Sequence, residues 1–493
     1  MSNLTYFHTL NFEPKKDAFS YQKEAFDAVK DLEYAAIFHE QGLGKTKIAI
    51  DLILYWLEKC NIDTVMVVTK KQLVTNWIQE FSIHTHIHPK VLNQDKKNNF
   101  YLFNSTTRVL VTNFETISSE KETMLLYLKT RDVGIIIDES TKIKNPESKL
   151  TKDFFLLAPL FKRRVIMTGT PVANRPYDIW AQVFFLDFGE SLGKDFDSFK
   201  KDTDLRNDFD SDEKGRKGFE DSVSKIFSRI KQFSVRETKN SGIIHLPQKV
   251  YHDEICSFEQ TQLEMYKQIQ YELNILIQKD GEAILDNSEA SLKRLLRLIQ
   301  VASNPRLIDE LYCTDSGKER RLSKLLKAIT DGNEKVIVWS NFIENVDFFQ
   351  KLYKQYNPVK IHGKMAIEDR NRSVAKFKND PECKVLFATP QSAKEGLTLT
   401  VANNVIFYDR GFNLDDYLQA QDRIHRISQE KTCHVYNLII KNSIDEWIST
   451  LLQAKQNAAF LAQGDYELAK FNEQMDYSYG KLIREILSQE AEE

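Results

Sequence analysis

Nine short runs rich in valine and isoleucine set the limits on what this chain can fold into. TVMVVT, TRVLVTN, VGIIID and RRVIMTG lie early in the sequence, and EKVIVWS, PVKIHG, CKVLFAT, NNVIFYD and CHVYNLII lie late. Each is too short for a helix and is separated from the next by a segment of helical periodicity. Strands that are apolar along their whole length, alternating with helices, imply a parallel sheet covered on both faces. The expected class is therefore α/β, with two parallel-sheet lobes. Between the two sets the pattern changes to long charged helices, such as SFEQTQLEMYKQIQYELNILIQ and ASLKRLLRLIQVA. The expected organisation is a first lobe over 1–188, a helical insertion and inter-lobe linker over 189–320, a second lobe over 321–447 and a charged helical tail over 448–493.

The formal net charge of −3 means that any nucleic-acid contact must come from local basic strips. Cys60, Cys256, Cys313, Cys383 and Cys433 are scattered, with no CxxC pair, and read as reduced thiols. His84, His86 and His88 alternate in HTHIH without a cysteine or carboxylate in register, so no structural metal is expected. No run approaches eighteen apolar residues and the first residues lack a signal-peptide pattern, so a cytoplasmic location without membrane association is expected.

Gly42-Leu43-Gly44-Lys45-Thr46 sits where a short apolar strand gives way to an amphipathic helix. Glycines let backbone N–H groups curl around phosphate oxygens, and the helix N-terminus adds a favourable dipole. Lys45 would neutralise the outer phosphates of ATP, and Thr46 would offer a hydroxyl to magnesium. The strict loop pattern has glycine where this chain has His39, and a glycine turn capping an ordinary helix is the competing reading. VGIIIDES ends an apolar strand with Asp138 and Glu139. Asp138 would hold magnesium and Glu139 would polarise the attacking water; simple helix capping is the alternative. Ligands sit at the carboxyl ends of parallel strands, which would bring both motifs to one edge.

DESTKIKNP, MTGTPVANRPYDIW, VASNPRLI and QAQDRIHRISQ, in that order, resemble the Snf-type (Swi/Snf-like) branch of helicase superfamily two. The resemblance runs from about Tyr21 to about Trp447 and implies two RecA-like lobes with ATP between them. It implies that Gln22 reads the adenine, and that Lys70, Thr112 and Asn113 fall in segments touching DNA. Thr168, Gly169, Thr170 and Gln419 would couple hydrolysis to lobe movement, and Gly396 would belong to a nucleotide- and DNA-sensing loop. Arg423 and Arg426 match the final motif. Their spacing of three puts them on one helical face, from which a guanidinium could reach across the cleft to the γ-phosphate. Two departures stand out: Asp138 to Thr141 reads Asp-Glu-Ser-Thr where the family has Asp-Glu-Ala-His, and Ala393 to Leu397 replaces a glycine-rich loop.

The residues and the resemblance together predict an ATP- and magnesium-dependent translocase on double-stranded DNA, with protein partners supplying specificity. A strand-separating DNA or RNA helicase is the alternative enzyme, and an ATP-dependent DNA clamp with little turnover is the alternative of another class. The composition suggests a bacterial or phage protein, with a nuclear one left open. Lys231, Arg236 and Lys239 read either as an inter-lobe element or as a solvated face. Lys293, Arg294 and Arg297 read either as a DNA contact or as the wet side of a helix.

Overall fold

Every early apolar run becomes a strand of one parallel sheet. In chain order the strands of that sheet are β1 (Tyr34–Ile37), β2 (Thr64–Thr69), β3 (Lys90–Val91), β4 (Val109–Asn113), β5 (Val133–Asp138), β6 (Arg163–Met167) and β7 (Ser234–Val235), the four early runs being β2, β4, β5 and β6. The structure is a computed structural model that describes residues 11–172, 174–204, 213–239, 246–280, 289–395, 397–426 and 428–465, with backbone only at 213–216, 273–280, 289–294 and 393–395. The seven strands lie in the order β3-β4-β2-β5-β6-β1-β7. β2 and β4 are buried at every position, as strands covered on both faces must be. Alternate residues feed two cores: Met66, Val68, Ile135 and Ile137 pack with Phe154 and Phe185, whereas Val65, Val67 and Ile136 pack with Ile48, Trp56 and Trp77.

The second sheet comprises β8 (Lys249–Cys256), β9 (Val336–Trp339), β10 (Val359–Ile361), β11 (Val385–Ala388), β12 (Asn404–Phe407) and β13 (Cys433–Ile440), in the order β10-β11-β9-β12-β13-β8. β8 corrects the expected boundary. It lies inside the segment read as inter-lobe insertion, yet it pairs in parallel with β13 over its whole length, from Lys249 opposite Cys433 to Cys256 opposite Ile440. KVYHDEIC carries charged and polar residues because β8 is an edge strand with one wet face, so it lacks a continuous apolar run. The following helices bury Leu263, Tyr266, Leu298 and Ile299 in the core of the same lobe. Upstream of the linker, Phe199, Phe219, Val223 and Ile226 join the first lobe. The helical segment is thus divided between the two lobes.

The expected charged tail begins as a packed element. Helix Ile444–Ala462 places Trp447, Ile448, Leu451 and Leu452 in the core of the second lobe and Ala454, Ala458, Leu461 and Ala462 in the core of the first. Full burial of each large side chain is worth about 1.5–3 kcal/mol, so one helix ties both lobes together. Residues 466–493 of the expected tail lie outside the described residues. Among the described residues no helix is long and apolar enough to cross a membrane.

The start of that helix is fixed by a buried ion pair. Lys318, fully buried in helix Gly317–Asp331, lies 2.7 Å from Asp445, whose carboxylate also accepts the backbone N–H of Ile440. Removing one partner strands a buried charge. Lys318→Met is therefore expected to cost roughly 3–5 kcal/mol, measured by urea unfolding. A loss below about 1 kcal/mol would mean the pair is not fixing this corner.

Candidate functional site

The phosphate loop runs from β1 into helix Lys45–Lys59. Gly44 adopts φ +70°, and a Cβ there would lie 2.2 Å from the Gln22 side-chain nitrogen, so only glycine fits. Gln22 is buried beneath the loop. Its amide donates to the Leu43 carbonyl (3.4 Å), as does the Tyr21 hydroxyl (3.1 Å), and its oxygen accepts the Phe19 N–H (3.0 Å). The Lys45 ammonium donates to the carbonyls of His39 (2.8 Å) and Glu40 (3.3 Å). Burial pulls its pKa down, opposed by the charges of Glu139 and Asp138. Thr46 comes next, half-buried, in the first helical turn. His39, standing where the strict pattern has glycine, is buried against Tyr21, and burial together with the Lys45 charge lowers it to about 4. It is a neutral ring under the loop at physiological pH.

Asp138 and Glu139 close β5 two strands from the loop, across β6. Asp138 accepts from Trp77 Nε1 (2.9 Å) and Thr69 Oγ1 (3.2 Å). Burial and the neighbouring Glu139 charge push its carboxyl up. Glu139 sits at φ 57°, ψ 50°, a left-handed conformation that costs a non-glycine residue roughly 1–3 kcal/mol and is typical of functional positions. Although burial alone would raise it, the Lys70 and Lys45 charges hold the Glu139 carboxyl below its usual range. Lys70 Nζ lies 3.2 Å from Glu139 Oε2.

The second lobe supplies the opposite wall. Arg423 and Arg426 do not lie on a helical face as expected. Helix Leu414–Gln421 has ended, and both arginines occupy the turn after it. Asp422, drawn onto Lys239 (3.0 Å) and Lys249 (3.1 Å), fixes that turn. Arg423 donates to the Leu397 carbonyl (3.3 Å) and Arg426 to Thr398 Oγ1 (2.7 Å). Burial and the adjacent Arg426 lower the Arg423 guanidinium to about 9, while the Glu139 charge opposes the shift. A Cβ on Gly42 would lie 3.5 Å from Arg426 Cγ, so Arg426 lies against the phosphate loop. Gly396 lies outside the described residues.

The coupling candidates meet across the cleft. A Cβ on Gly169 would fall 2.6 Å from Gln41 Cγ, which keeps the loop after β6 pressed against the phosphate loop. Thr168 Oγ1 accepts the Thr170 N–H (3.2 Å), and Thr170 Oγ1 donates to Asp415 of the second lobe (2.6 Å). Gln419 donates to the same carboxylate oxygen (2.8 Å). Asn174 of the first lobe accepts the Leu414 N–H and donates to Asn413, so it helps cap a helix of the other lobe. Asp415, Asn174 and Asn413 were not singled out in the sequence; for Asn413, a short polar residue just ahead of a helix is the signal that was there to find.

A family model described as SNF2-related domain matches residues 26–307, and one described as helicase conserved C-terminal domain matches 317–428. The chain belongs to the SNF2-related family. An ATP-dependent helicase, fft1, of Schizosaccharomyces pombe is 27% identical over 474 residues, covering 84% of this chain and 49% of that one. An uncharacterized ATP-dependent helicase of Mycoplasma genitalium is 28% identical over 451 residues, covering 88% and 41%. A RAD54-like DNA repair and recombination protein of Drosophila pseudoobscura is 28% identical over 466 residues, covering 83% and 58%. This SNF2-related chain thus spans about half the length of these relatives. A solved SWI2/SNF2 ATPase core of Sulfolobus solfataricus in complex with dsDNA covers 98% of this chain and all of that one, at 22% identity and a TM-score of 0.43.

The three residues expected in DNA-touching segments have their side chains engaged within the first lobe. Lys70 turns inward onto Glu139, and the exposed neighbour is Lys71. Thr112 is fully buried in β4, with its hydroxyl on the Leu92 carbonyl. Asn113 spends its side-chain oxygen capping helix Phe114–Ser119. Of the open alternatives, Lys239 is inter-lobe through Asp422, and Arg236 pairs with Asp465. Arg297 is exposed, and the side chains of Lys293 and Arg294 lie outside the described residues.

Asp415→Ala removes the acceptor that Thr170 and Gln419 share. Hydrogen bonds to a charged group are worth about 1.5–3 kcal/mol each, so the closed population should fall measurably. A donor–acceptor dye pair across the lobes is expected to show a lower-transfer population. An unchanged distance distribution would remove Asp415 from the coupling path.

Proposed function

We propose that this chain is an ATP-driven motor that couples hydrolysis to movement along double-stranded DNA. One observation carries the reading: Lys45 and Glu139 of the first lobe share a buried cleft with Arg423 and Arg426 of the second. Backbone N–H groups of the loop and helix N-terminus would take the phosphates, with Lys45 on the outer pair. Thr46 and Asp138 would hold magnesium, an ion that supplies charge neutralisation on the phosphates and favours hard oxygen donors of this kind. The fit is supported by the raised Asp138 carboxyl, buried beside the charge of Glu139, which a cation would relieve. Glu139 would accept the proton of the attacking water. The two guanidiniums would stabilise charge that develops on the γ-phosphate, an effect worth roughly 10³–10⁵ in rate in related enzymes. Gln22, braced against the phosphate loop, would report adenine binding to it.

Completing the site from both lobes makes hydrolysis depend on closure, and closure moves the surfaces that grip the track. A groove of about 500 Å³ that would face the track brings Arg175 and Lys200 of the first lobe, with Lys144 paired to Asp178 and with Glu147, beside Asn413 and Lys455 of the second. Cations contributed by both lobes suit a phosphate backbone and carry no sequence preference. Proteins that dock on the lobes would supply specificity. Membership of the SNF2-related family, and relatives named as ATP-dependent helicases and a DNA repair protein, favour DNA as the track.

Lys45→Ala is expected to abolish ATP hydrolysis and weaken nucleotide binding. Glu139→Gln is expected to trap bound ATP with DNA affinity retained, and Arg426→Ala to slow turnover while ATP affinity changes much less. Steady-state hydrolysis and nucleotide binding check all three; wild-type turnover in any of them overturns its assignment.

Duplex DNA is expected to stimulate turnover more than RNA, and longer duplexes more than short ones up to a plateau. Binding should weaken steeply with salt as counterions are released. The motor should displace the third strand of a triplex without opening the duplex beneath. Efficient unwinding of a forked duplex would favour the strand-separating reading, and DNA binding without turnover the clamp.

A further inference from the structure

Along the carboxyl edge of the first sheet the motifs follow the strand order. Counting from β1, the phosphate loop comes first, then Thr168 to Thr170 after β6, then Asp138 and Glu139 after β5. β2 comes next and then β4, with Thr69 in register with Asn113 and Val68 with Ile137. The residues just beyond β2 therefore stand between the acidic pair and the outer half of the sheet. Lys70 is the first of them.

One short segment, from Thr69 to Trp77, grips both carboxylates. Thr69 and Trp77 donate to Asp138, and Lys70 pairs with Glu139 at 3.2 Å. Its other side faces solvent: Lys71, Gln72, Thr75 and Asn76 are exposed, whereas the Lys70 side chain is only 18% exposed. Two adjacent lysines thus point to opposite sides of one turn. The inner one also feels Asp415 of the second lobe, so lobe position and segment position act on the same ammonium.

We infer that Lys70 is a positioning residue that restrains Glu139, and that a nucleic-acid backbone bound on the outer face, at Lys71 to Asn76, draws Lys70 off it. The inference rests on the reading of Glu139 as the group that polarises water. An ammonium bonded to a carboxylate occupies one of its oxygens and fixes its orientation, so the restrained Glu139 is not free to turn onto an attacking water. Because Lys70 and Lys71 share a peptide bond, a phosphate that pulls the turn outward moves the Lys70 anchor too. Track binding then releases the base, which would make turnover depend on DNA.

The test uses the full chain with Lys70→Ala, Lys70→Arg and Lys71→Ala. Turnover is measured with and without duplex DNA, and duplex affinity is measured by anisotropy without nucleotide. Lys70→Ala is expected to raise DNA-free turnover roughly tenfold and to lower the stimulation ratio to match, with duplex affinity within about twofold of wild type. Lys70→Arg should restore the low DNA-free rate, and Lys71→Ala should weaken duplex binding. Lys70→Met, which keeps the stem and loses the charge, covers an unstable alanine variant. A DNA-free rate that stays level or falls in both uncharged variants overturns the inference, as does a loss of duplex affinity as large as that of Lys71→Ala. A wild-type enzyme that hydrolyses ATP without any duplex stimulation instead overturns the track reading on which it rests.

Discussion

Asp422 is held by two lysines, Lys239 from the segment before the linker at 3.0 Å and Lys249 from the start of β8 at 3.1 Å. Although burial alone would raise its carboxyl, the two ammonium charges hold it well below the ordinary carboxylate range. A buried charge cluster of this kind adds little net stability, but removing a member strands the others. Its effect is geometric. The turn that starts at Asp422 carries Arg423 and Arg426, and Lys249 opens the edge strand of the second sheet. Fixing Asp422 therefore sets where the two guanidiniums stand relative to the phosphate loop. Helix Ile444–Ala462 crosses between the two cores.

The charges in the cleft make sense as one set. Lys45, Lys70 and Arg423 surround Glu139, and the arginine and Lys45 are both destabilised in their charged forms by burial. Such a site carries an excess of buried positive charge near the loop, which an anion with several negative oxygens would relieve. Asp138 is offset in the opposite sense, by its burial and by the neighbouring Glu139 charge.

Much of this was legible in the sequence because it depends on local chemistry. Apolar runs such as TVMVVT and VGIIID can satisfy burial on both faces only as central parallel strands, and the glycines of the phosphate loop are dictated by backbone conformation. The part that was not legible depends on which way a side chain turns. Thr112 belongs to a motif that touches DNA in the family, but in β4 its side chain is wholly enclosed. Lys70 and Lys71 are indistinguishable as letters, and only the turn after β2 sends one inward. KVYHDEIC reads as a polar stretch because edge strands have one wet face. The spacing of Arg423 and Arg426 fits a helix, but Asp422 is captured by lysines far away in the chain, and that tertiary bond ends the helix early. The partnership of Thr170 with Asp415 joins residues 245 positions apart and had no local signal.

Whether the two lobes together form one phosphate site is decided by a crystal structure of the chain with ADP, magnesium, aluminium fluoride and duplex DNA. Lys45 is expected on the nucleotide phosphates, and a guanidinium of Arg423 or Arg426 within hydrogen-bond distance of the fluoride that stands for the γ-phosphate. Nucleotide held by the first lobe alone, with both arginines still bonded to Leu397 and Thr398 and turned away from the fluoride, would contradict a shared site.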